Sequence, residues 1–504
     1  MIDFSGILSG LQMAISLEGI LFVFIGVFVG TFIGLMPGLG PISAIAIMIP
    51  MTYNMDPTIA LVMMAGVYYG AIFGGSTSSI LLNAPGVAGT VATSFDGYPM
   101  AQQGKAGKAL AIAAIAAFIG GTVSVVFLML FAPVLSSVAI QFGPPEYFAL
   151  MLLGLTAIAS LSSGSTIKAL MSALLGIMVV TIGIDAQTGT VRFTFGSANL
   201  LEGIDFLVIA LGIFALAEVC ALIINRQKTT FNAKTIGSLK ITKEDFKEMV
   251  GPMSRQSVLG FIIGVLPGAG ATIASFIGYT TEKRFAKNPD EFGKGSIKGL
   301  TAPETANNAA TSGAFVPLLS LGIPGSGTTA VMLGALLVLN VQPGPLLMTE
   351  NPTLFWGVIM SMYIGNIFLL ILNLPLIPYI SKILAIPRPM LISLVVVFCI
   401  IGVYSISFSI FDLYVLLAFG VIGYLMRMFQ FPAAPFILAF ILGGMLEQSF
   451  RQAMTISGND VSIFISNPLS ARYLLWLQSH SCSLYGKVIG IRRRTIKHCL
   501  CKSK

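Results

Sequence analysis

The stretch Gly34-Leu35-Met36-Pro37-Gly38-Leu39-Gly40 interrupts two apolar runs, and Gly264-Val265-Leu266-Pro267-Gly268-Ala269-Gly270 interrupts two more in the same way. Downstream of each lies a second Pro-Gly break: Pro85-Gly86 with Gly89 and Thr90, then Pro324-Gly325 with Thr328 and Thr329. The first breaks are 230 residues apart (Pro37 to Pro267) and the second 239 (Pro85 to Pro324), so a short insertion reconciles the two copies. A lone Pro-Gly pair is commonly a loop between helices. Paired interruptions at corresponding places in two halves instead point to a transporter built from repeats, with its binding site at the breaks.

Composition places these breaks in a membrane. The 504 residues are 56% hydrophobic and only 10% charged, with mean hydropathy +0.91; soluble chains carry about 25% charged residues. Several runs reach the roughly 20 residues that cross a bilayer. The reading is an all-α polytopic membrane protein of about 11–12 transmembrane segments, with two inverted repeats and broken or re-entrant helices. The start has no basic stretch before its first apolar run, so that run reads as a retained membrane segment.

The formal charge of +8 belongs to the end of the chain. Residues 471–504 hold Arg472, Lys487, Arg492, Arg493, Arg494, Lys497, Lys502 and Lys504 and no acid; the remaining 20 basic residues balance 20 acidic ones. Nucleic-acid binding has no support in that body. Cys482, Cys499, Cys501, His480 and His498 also lie in this tail, leaving Cys220 and Cys399 in apolar runs. No metal-ligand spacing, disulfide framework or cofactor motif appears in the body.

The chain divides into a first membrane half (1–224), a connector (225–255), a second membrane half (256–470) and the atypical basic tail (471–504). The connector is rich in Lys and Arg and is read as cytoplasmic. Basic residues flank the second broken segment, 257–279, on both sides, which suits a hairpin that enters and leaves on one face. Glu218, an acid in an apolar run, either has a role within the membrane or reaches the nearby interface.

A broken helix exposes about four N–H groups at its new N-terminus and roughly half a positive charge from the macrodipole. Such an end holds an anion without a basic side chain, and glycine lets the backbone come close. The candidate substrate-binding residues are therefore Gly38, Gly40, Ser43, Ser76, Thr77, Ser78, Asn83 and Gly86 in the first half. In the second half they are Gly268, Gly270, Thr272, Asn307, Asn308, Gly325, Ser326, Thr328 and Thr329. Glu304, beside the Asn307-Asn308 pair, is the candidate for ion coupling with Na+ or H+; after Pro303 it could equally cap a helix start.

These residues carry a resemblance. Residues 34–50 (GLMPGLGPISAIAIMIP), 69–86 (YGAIFGGSTSSILLNAPG), 264–279 (GVLPGAGATIASFIGY) and 303–329 (PETANNAATSGAFVPLLSLGIPGSGTT) resemble the large permease subunit of the tripartite tricarboxylate transporter family, the TctA family. The resemblance implies a multi-pass protein of the bacterial inner membrane. It implies a small four-span membrane subunit and a periplasmic solute-binding protein as partners. It also implies uptake of tricarboxylates or related carboxylates driven by a Na+ or H+ gradient, without ATP; the sequence has no Gly-x-x-x-x-Gly-Lys-[Ser/Thr] loop. The pattern ends near residue 470, where a basic extension or a change of reading frame would each give the observed composition.

Two other classes remain for comparison. A passive anion channel predicts flux without coupling. An intramembrane enzyme needs a nucleophile and base, and no histidine precedes position 480.

Overall fold

The computed structural model describes residues 4–36, 39–161, 165–185, 187–224, 237–380 and 388–466. Gly38, much of the connector and the whole 471–504 tail lie outside the described residues. The described chain is helical apart from a two-stranded antiparallel hairpin, β1 (Gly183–Ile184) and β2 (Val191–Arg192).

The first half comprises α1 (Phe4–Ile15), α2 (Leu17–Leu35), α3 (Pro41–Thr52), α4 (Pro57–Leu82), α5 (Val91–Met100), α6 (Ala106–Ala139), α7 (Pro144–Leu161), α8 (Thr166–Val180), α9 (Phe206–Ala210) and α10 (Ala217–Ile224). The second comprises α11 (Lys243–Val265), α12 (Gly270–Phe285), α13 (Ile297–Gly313), α14 (Phe315–Leu321), α15 (Gly327–Val338), α16 (Leu347–Glu350), α17 (Pro352–Asn373), α18 (Ile377–Ile380), α19 (Arg388–Ser407), α20 (Ile410–Met428) and α21 (Ala433–Ile456). Seven helical stretches among the described residues are long and apolar enough to cross a membrane. Five further apolar helices of 10–17 residues, among them Pro41–Thr52 and Gly327–Val338, are shorter than the roughly 20 residues a crossing needs. The chain is an all-α polytopic membrane protein whose spans are interrupted as the Pro-Gly breaks indicate.

The duplication is visible in the packing. Gly26, Gly30 and Gly34 on α2 lie against the backbone of Met63, Val67 and Ala71 on α4. A spacing of four keeps them on one helix face, and small residues let two backbones meet, the main source of helix association in lipid. In the second half Gly260 and Gly264 on α11 meet the backbone of Ala306 and Ala310 on α13. Gly30 and Gly34 correspond to Gly260 and Gly264 by the 230-residue offset; Val67 and Ala71 correspond to Ala306 and Ala310 by the 239-residue one. The sequence offsets are thus also the packing register.

The helix ends repeat too. α4 ends at Asn83 (φ 52°) and α14 at Gly322 (φ 69°), 239 residues apart and both left-handed, a common way to close a helix. Helix starts agree with the sequence where their chemistry is explicit: Pro41 and Pro57 occupy first turns after Gly40 and Asp56. The connector is partly helical, because α11 already begins at Lys243, capped by Thr242 and Asp245. Lys108 on α6 pairs with Asp245 at 2.7 Å.

α11 and α12 form a hairpin about the second break. Arg255 and Gln256 on one leg reach Glu282 on the other, with Arg255 Nη2 to Glu282 Oε2 at 2.7 Å and Gln256 Nε2 to Oε1 at 2.9 Å. Asp96 on α5 stitches the halves together. Its Oδ1 accepts from the N–H groups of Gly293, Gly295 and Ser296 at 2.7–2.9 Å, and its Oδ2 accepts from the Tyr279 hydroxyl at 3.0 Å. The start of α13 is therefore held by the first repeat.

Candidate functional site

Four helix starts converge on one cavity of about 520 Å³. They are α3 after Gly40, the 3-10 turn Ala88–Thr90 that leads into α5, α12 at Gly270, and α15 after Ser326. Among the described residues its lining contains neither an acidic nor a basic side chain. The volume falls within the roughly 300–1,000 Å³ usual for small-molecule pockets.

Local chemistry explains how the backbone is turned toward this space. At the second break Gly268 and Gly270 have φ of 86° and 57°, a region open to glycine at little cost. The Gly268 N–H donates to the Gly325 carbonyl at 2.9 Å, joining the two breaks of that half. In the first half the Gly86 N–H donates to Ser78 Oγ at 3.0 Å. Ser326 caps α15 reciprocally: its Oγ accepts from Thr329 N–H, and its own N–H donates to Thr329 Oγ1 at 2.8 Å.

Of the residues singled out from the sequence, Gly40, Ser43, Gly86, Gly268, Gly270, Thr272, Ser326 and Thr328 line the cavity. Ser43 Oγ donates to the Phe214 carbonyl at 3.3 Å. Other candidates are placed behind the wall. Ser78 supports Gly86, Thr329 belongs to the cap of α15, and Gly325 accepts from Gly268. Asn83 is an exposed helix cap. Ser76 and Thr77 line a much smaller void beside Glu304. Asn307 is fully buried beside Gly89, where an added Cβ would lie 3.0 Å from its Oδ1; Asn308 Nδ2 donates to the Glu304 carbonyl at 3.0 Å. Gly38 falls outside the described residues.

The helix-capping reading of Glu304 does not hold. α13 is capped by Ser296 and starts at Ile297, so Glu304 lies two turns inside it. Its side chain is fully buried. Oε2 accepts from Ser76 Oγ at 2.9 Å and Oε1 from Thr93 Oγ1. No ion pair among the described residues includes it. Glu218, by contrast, pairs with Arg427 on α20.

Sequence reasoning missed Tyr68, Phe214 and Pro435 in the cavity wall. Tyr68 hydrogen-bonds Ser326 at 3.3 Å across the halves, a pairing no local pattern shows. Phe214 lies in a π-helical stretch, Leu211–Leu216, between α9 and α10; such insertions are frequent at functional sites but leave no sequence mark here.

Away from the membrane-spanning helices, Asp185 holds β1–β2 to α21. Its Oδ2 lies 2.8 Å from Arg451 Nη2 and 3.4 Å from Arg192 Nη1. The N–H of Gln187, then that of Thr188 and the Arg451 guanidinium, draw its carboxyl down to about 2.

Comparison with known proteins agrees with this architecture. The family model described as "Tripartite tricarboxylate transporter TctA family" matches residues 20–438, a span that contains all four breaks. An uncharacterized 52.8 kDa protein in the TAR-I ttuC' 3' region of Agrobacterium vitis is 45% identical over 465 residues, covering 92% of this chain and 93% of that protein. An uncharacterized protein in the TAR-II ttuC' 3' region of the same organism is 47% identical over 215 residues, 43% of this chain and 89% of its own. No solved structure matches the chain. With its paired breaks, its repeated glycine packing and a family match over most of its length, this chain belongs to the tripartite tricarboxylate transporter TctA family.

Proposed function

We propose that the chain is the large permease subunit of a binding-protein-dependent secondary transporter in the bacterial inner membrane. In this reading it imports a tricarboxylate or a related carboxylate, driven by a Na+ or H+ gradient. A small four-span membrane subunit and a periplasmic solute-binding protein complete the system. The observation that carries the reading is the convergence of four helix starts from two equivalent halves on a cavity without charged side chains.

The physics favours an anion. Each of the three α-helix starts contributes roughly half a positive charge and N–H groups without intrahelical partners, and the Ala88–Thr90 turn adds backbone N–H groups beside them. Ser43, Thr272, Ser326 and Thr328 add hydroxyl groups at the same wall. Backbone dipoles provide this field without the cost of burying a lysine or arginine in lipid. A substrate with several carboxylates can meet donors from both halves at once. Relative movement of the two repeats, with the Pro-Gly hairpins carried along, would then open the site to each side in turn.

Uptake by the reconstituted three-component system tests the proposal. Labelled citrate or another di- or tricarboxylate accumulates in vesicles when an inward Na+ or H+ gradient is imposed, and accumulation stops when the gradient collapses. Equilibration without accumulation across the carboxylate panel would leave a channel and refute coupled import.

A further inference from the structure

A second space lies apart from the substrate cavity. Between α4, α6, α13 and α17 is a void of about 10 Å³, about the room one water-sized species occupies. Phe73, Ser76, Thr77, Ala114, Glu304 and Asn373 are among its walls. Its polar lining is a carboxylate, two hydroxyls and one amide. Asn373 directs its Nδ2 to the Leu369 carbonyl at 3.0 Å. That leaves Asn373 Oδ1 buried without a hydrogen-bond partner, in a residue only 4% exposed.

Two electrostatic deficits thus meet in one place. Glu304 is a fully buried carboxyl whose hydrogen bonds among the described residues come from the neutral hydroxyls of Ser76 and Thr93, and a buried charge without a counter-ion is strongly unfavourable. Asn373 presents a carbonyl oxygen with nothing to accept from, itself a cost. Asn373 also closes α17, and a helix C-terminus carries partial negative charge. A single cation answers all three.

We infer that this void is a sodium site, formed by Glu304, Ser76, Thr77 and Asn373 and separate from the carboxylate cavity. The donor set is all oxygen with one negative charge, which suits a hard monovalent ion. Divalent calcium takes six to eight oxygen ligands, commonly with several carboxylates, and magnesium keeps much of its water; this lining offers one carboxylate and three neutral polar side chains around about one water-sized space.

The inference rests on the transporter reading, and it supplies a route for coupling. Tyr68, Ile72 and Ser76 recur every four residues on α4, hence on one face. The first two line the carboxylate cavity and the third lines the void. Thr93, the other hydroxyl on Glu304, follows Gly89 by one helical turn, and Gly89 lines the cavity. An ion on Glu304 and Ser76 therefore fixes α4 against α13 at the depth where the cavity wall is built.

The test is thermal unfolding of the purified full chain without carboxylate, at constant ionic strength, in NaCl, KCl or choline chloride. NaCl is expected to raise the midpoint by several degrees over the other salts. Glu304→Gln and Asn373→Leu should each lose that increment, whereas Gly444→Ala, where an added Cβ meets nothing within 4 Å, should keep it. If Glu304→Gln fails to fold, Asn373→Leu, which retains the acid and the side-chain size, together with 22Na+ binding to the unaltered chain, decides the matter. An equal midpoint in all salts, or a sodium increment that survives both substitutions, overturns the site. A dependence on pH in place of Na+, abolished in Glu304→Gln, makes Glu304 a proton carrier and also overturns it. If carboxylates stabilise the chain and sodium does not, the sodium site fails and the carboxylate reading stands. If sodium stabilises the chain but the reconstituted system accumulates no carboxylate, the site stands and the transporter reading fails.

Discussion

Gly86 and Gly325 occupy the same place in the two halves. A Cβ added at Gly86 would meet the Gly34 carbonyl and Gly75, and one added at Gly325 the Gly264 carbonyl and Ala314. The first contact repeats by the 239- and 230-residue offsets, and the second by the 239-residue offset in both of its members. The second Pro-Gly break of each half is thus seated on the helix that leads into the first, which fixes the backbone forming the cavity.

Gly325→Ala should therefore damage the site through packing. A Cβ would come within 2.9 Å of Ala314 Cα and 3.0 Å of the Gly264 carbonyl oxygen, and backbone on both sides has little freedom to yield. Overpacking of this kind typically costs about 1–3 kcal/mol. Unfolding midpoints of purified protein should fall accordingly and carboxylate uptake should drop sharply. Gly444→Ala, where an added Cβ meets nothing within 4 Å, should leave both unchanged.

Ser326→Ala removes the cap of α15 and the Tyr68 contact together. Loss of a serine cap costs about 0.5–2 kcal/mol. Substrate affinity should fall more than stability, because the freed end of α15 faces the cavity. Binding isotherms and unfolding curves on the same preparation separate the two effects.

Glu218→Gln should cost stability but leave coupling intact. Glu218 is only 11% exposed and Arg427 51%, so the change leaves the arginine without its counter-charge, at a place that lines neither the cavity nor the void at Glu304. Gradient-driven uptake in this variant should stay near that of the unaltered protein. A complete loss of coupling would move the ion-coupling role from Glu304 to Glu218.

Acid should release the β1–β2 hairpin from α21. The Asp185 carboxyl is held down to about 2 in the folded protein, below the ordinary aspartate value of about 3.9. Its contribution is complete above the ordinary value and is lost as pH falls through the folded one. Exchange protection of hairpin amides should therefore weaken between about pH 4 and pH 2, and Asp185→Asn should show the weakened state at neutral pH.

Much of the fold could be read from sequence because its signals are local and repeated. Pro41, Pro57 and the Pro-Gly pairs mark helix starts and breaks directly, and the 230- and 239-residue offsets recur as packing partners. Eight of the proposed ligands reach the cavity because they sit at those breaks. The residues placed away from the cavity share a cause. Ser76, Asn307 and Asn308 lie on continuous helices, where depth and facing depend on which helix packs alongside. Glu304 resembled a cap because Pro303 precedes it, but Ser296 begins α13 two turns earlier. Asn373 could not be found at all: its significance depends on Glu304, 69 residues away in sequence, and on an amide oxygen left without a partner.

The most direct test of anion binding by backbone amides is Ala88→Pro. Ala88 begins the 3-10 turn at the cavity, and Val87 before it is extended (φ −133°, ψ 142°), the conformation a residue preceding proline prefers. Proline is tolerated at a first helical position and removes one N–H, leaving side-chain charge untouched. Thermal unfolding of purified protein, titrated with a panel of di- and tricarboxylates, should show at least one that stabilises the unaltered chain. In Ala88→Pro its affinity should fall by roughly tenfold or more, from losing one hydrogen bond to a charged group worth about 1.5–3 kcal/mol, and fully esterified analogues should stabilise neither protein. Equal carboxylate affinity in the two proteins, or stabilisation by the esters as strong as by the acids, would contradict the account.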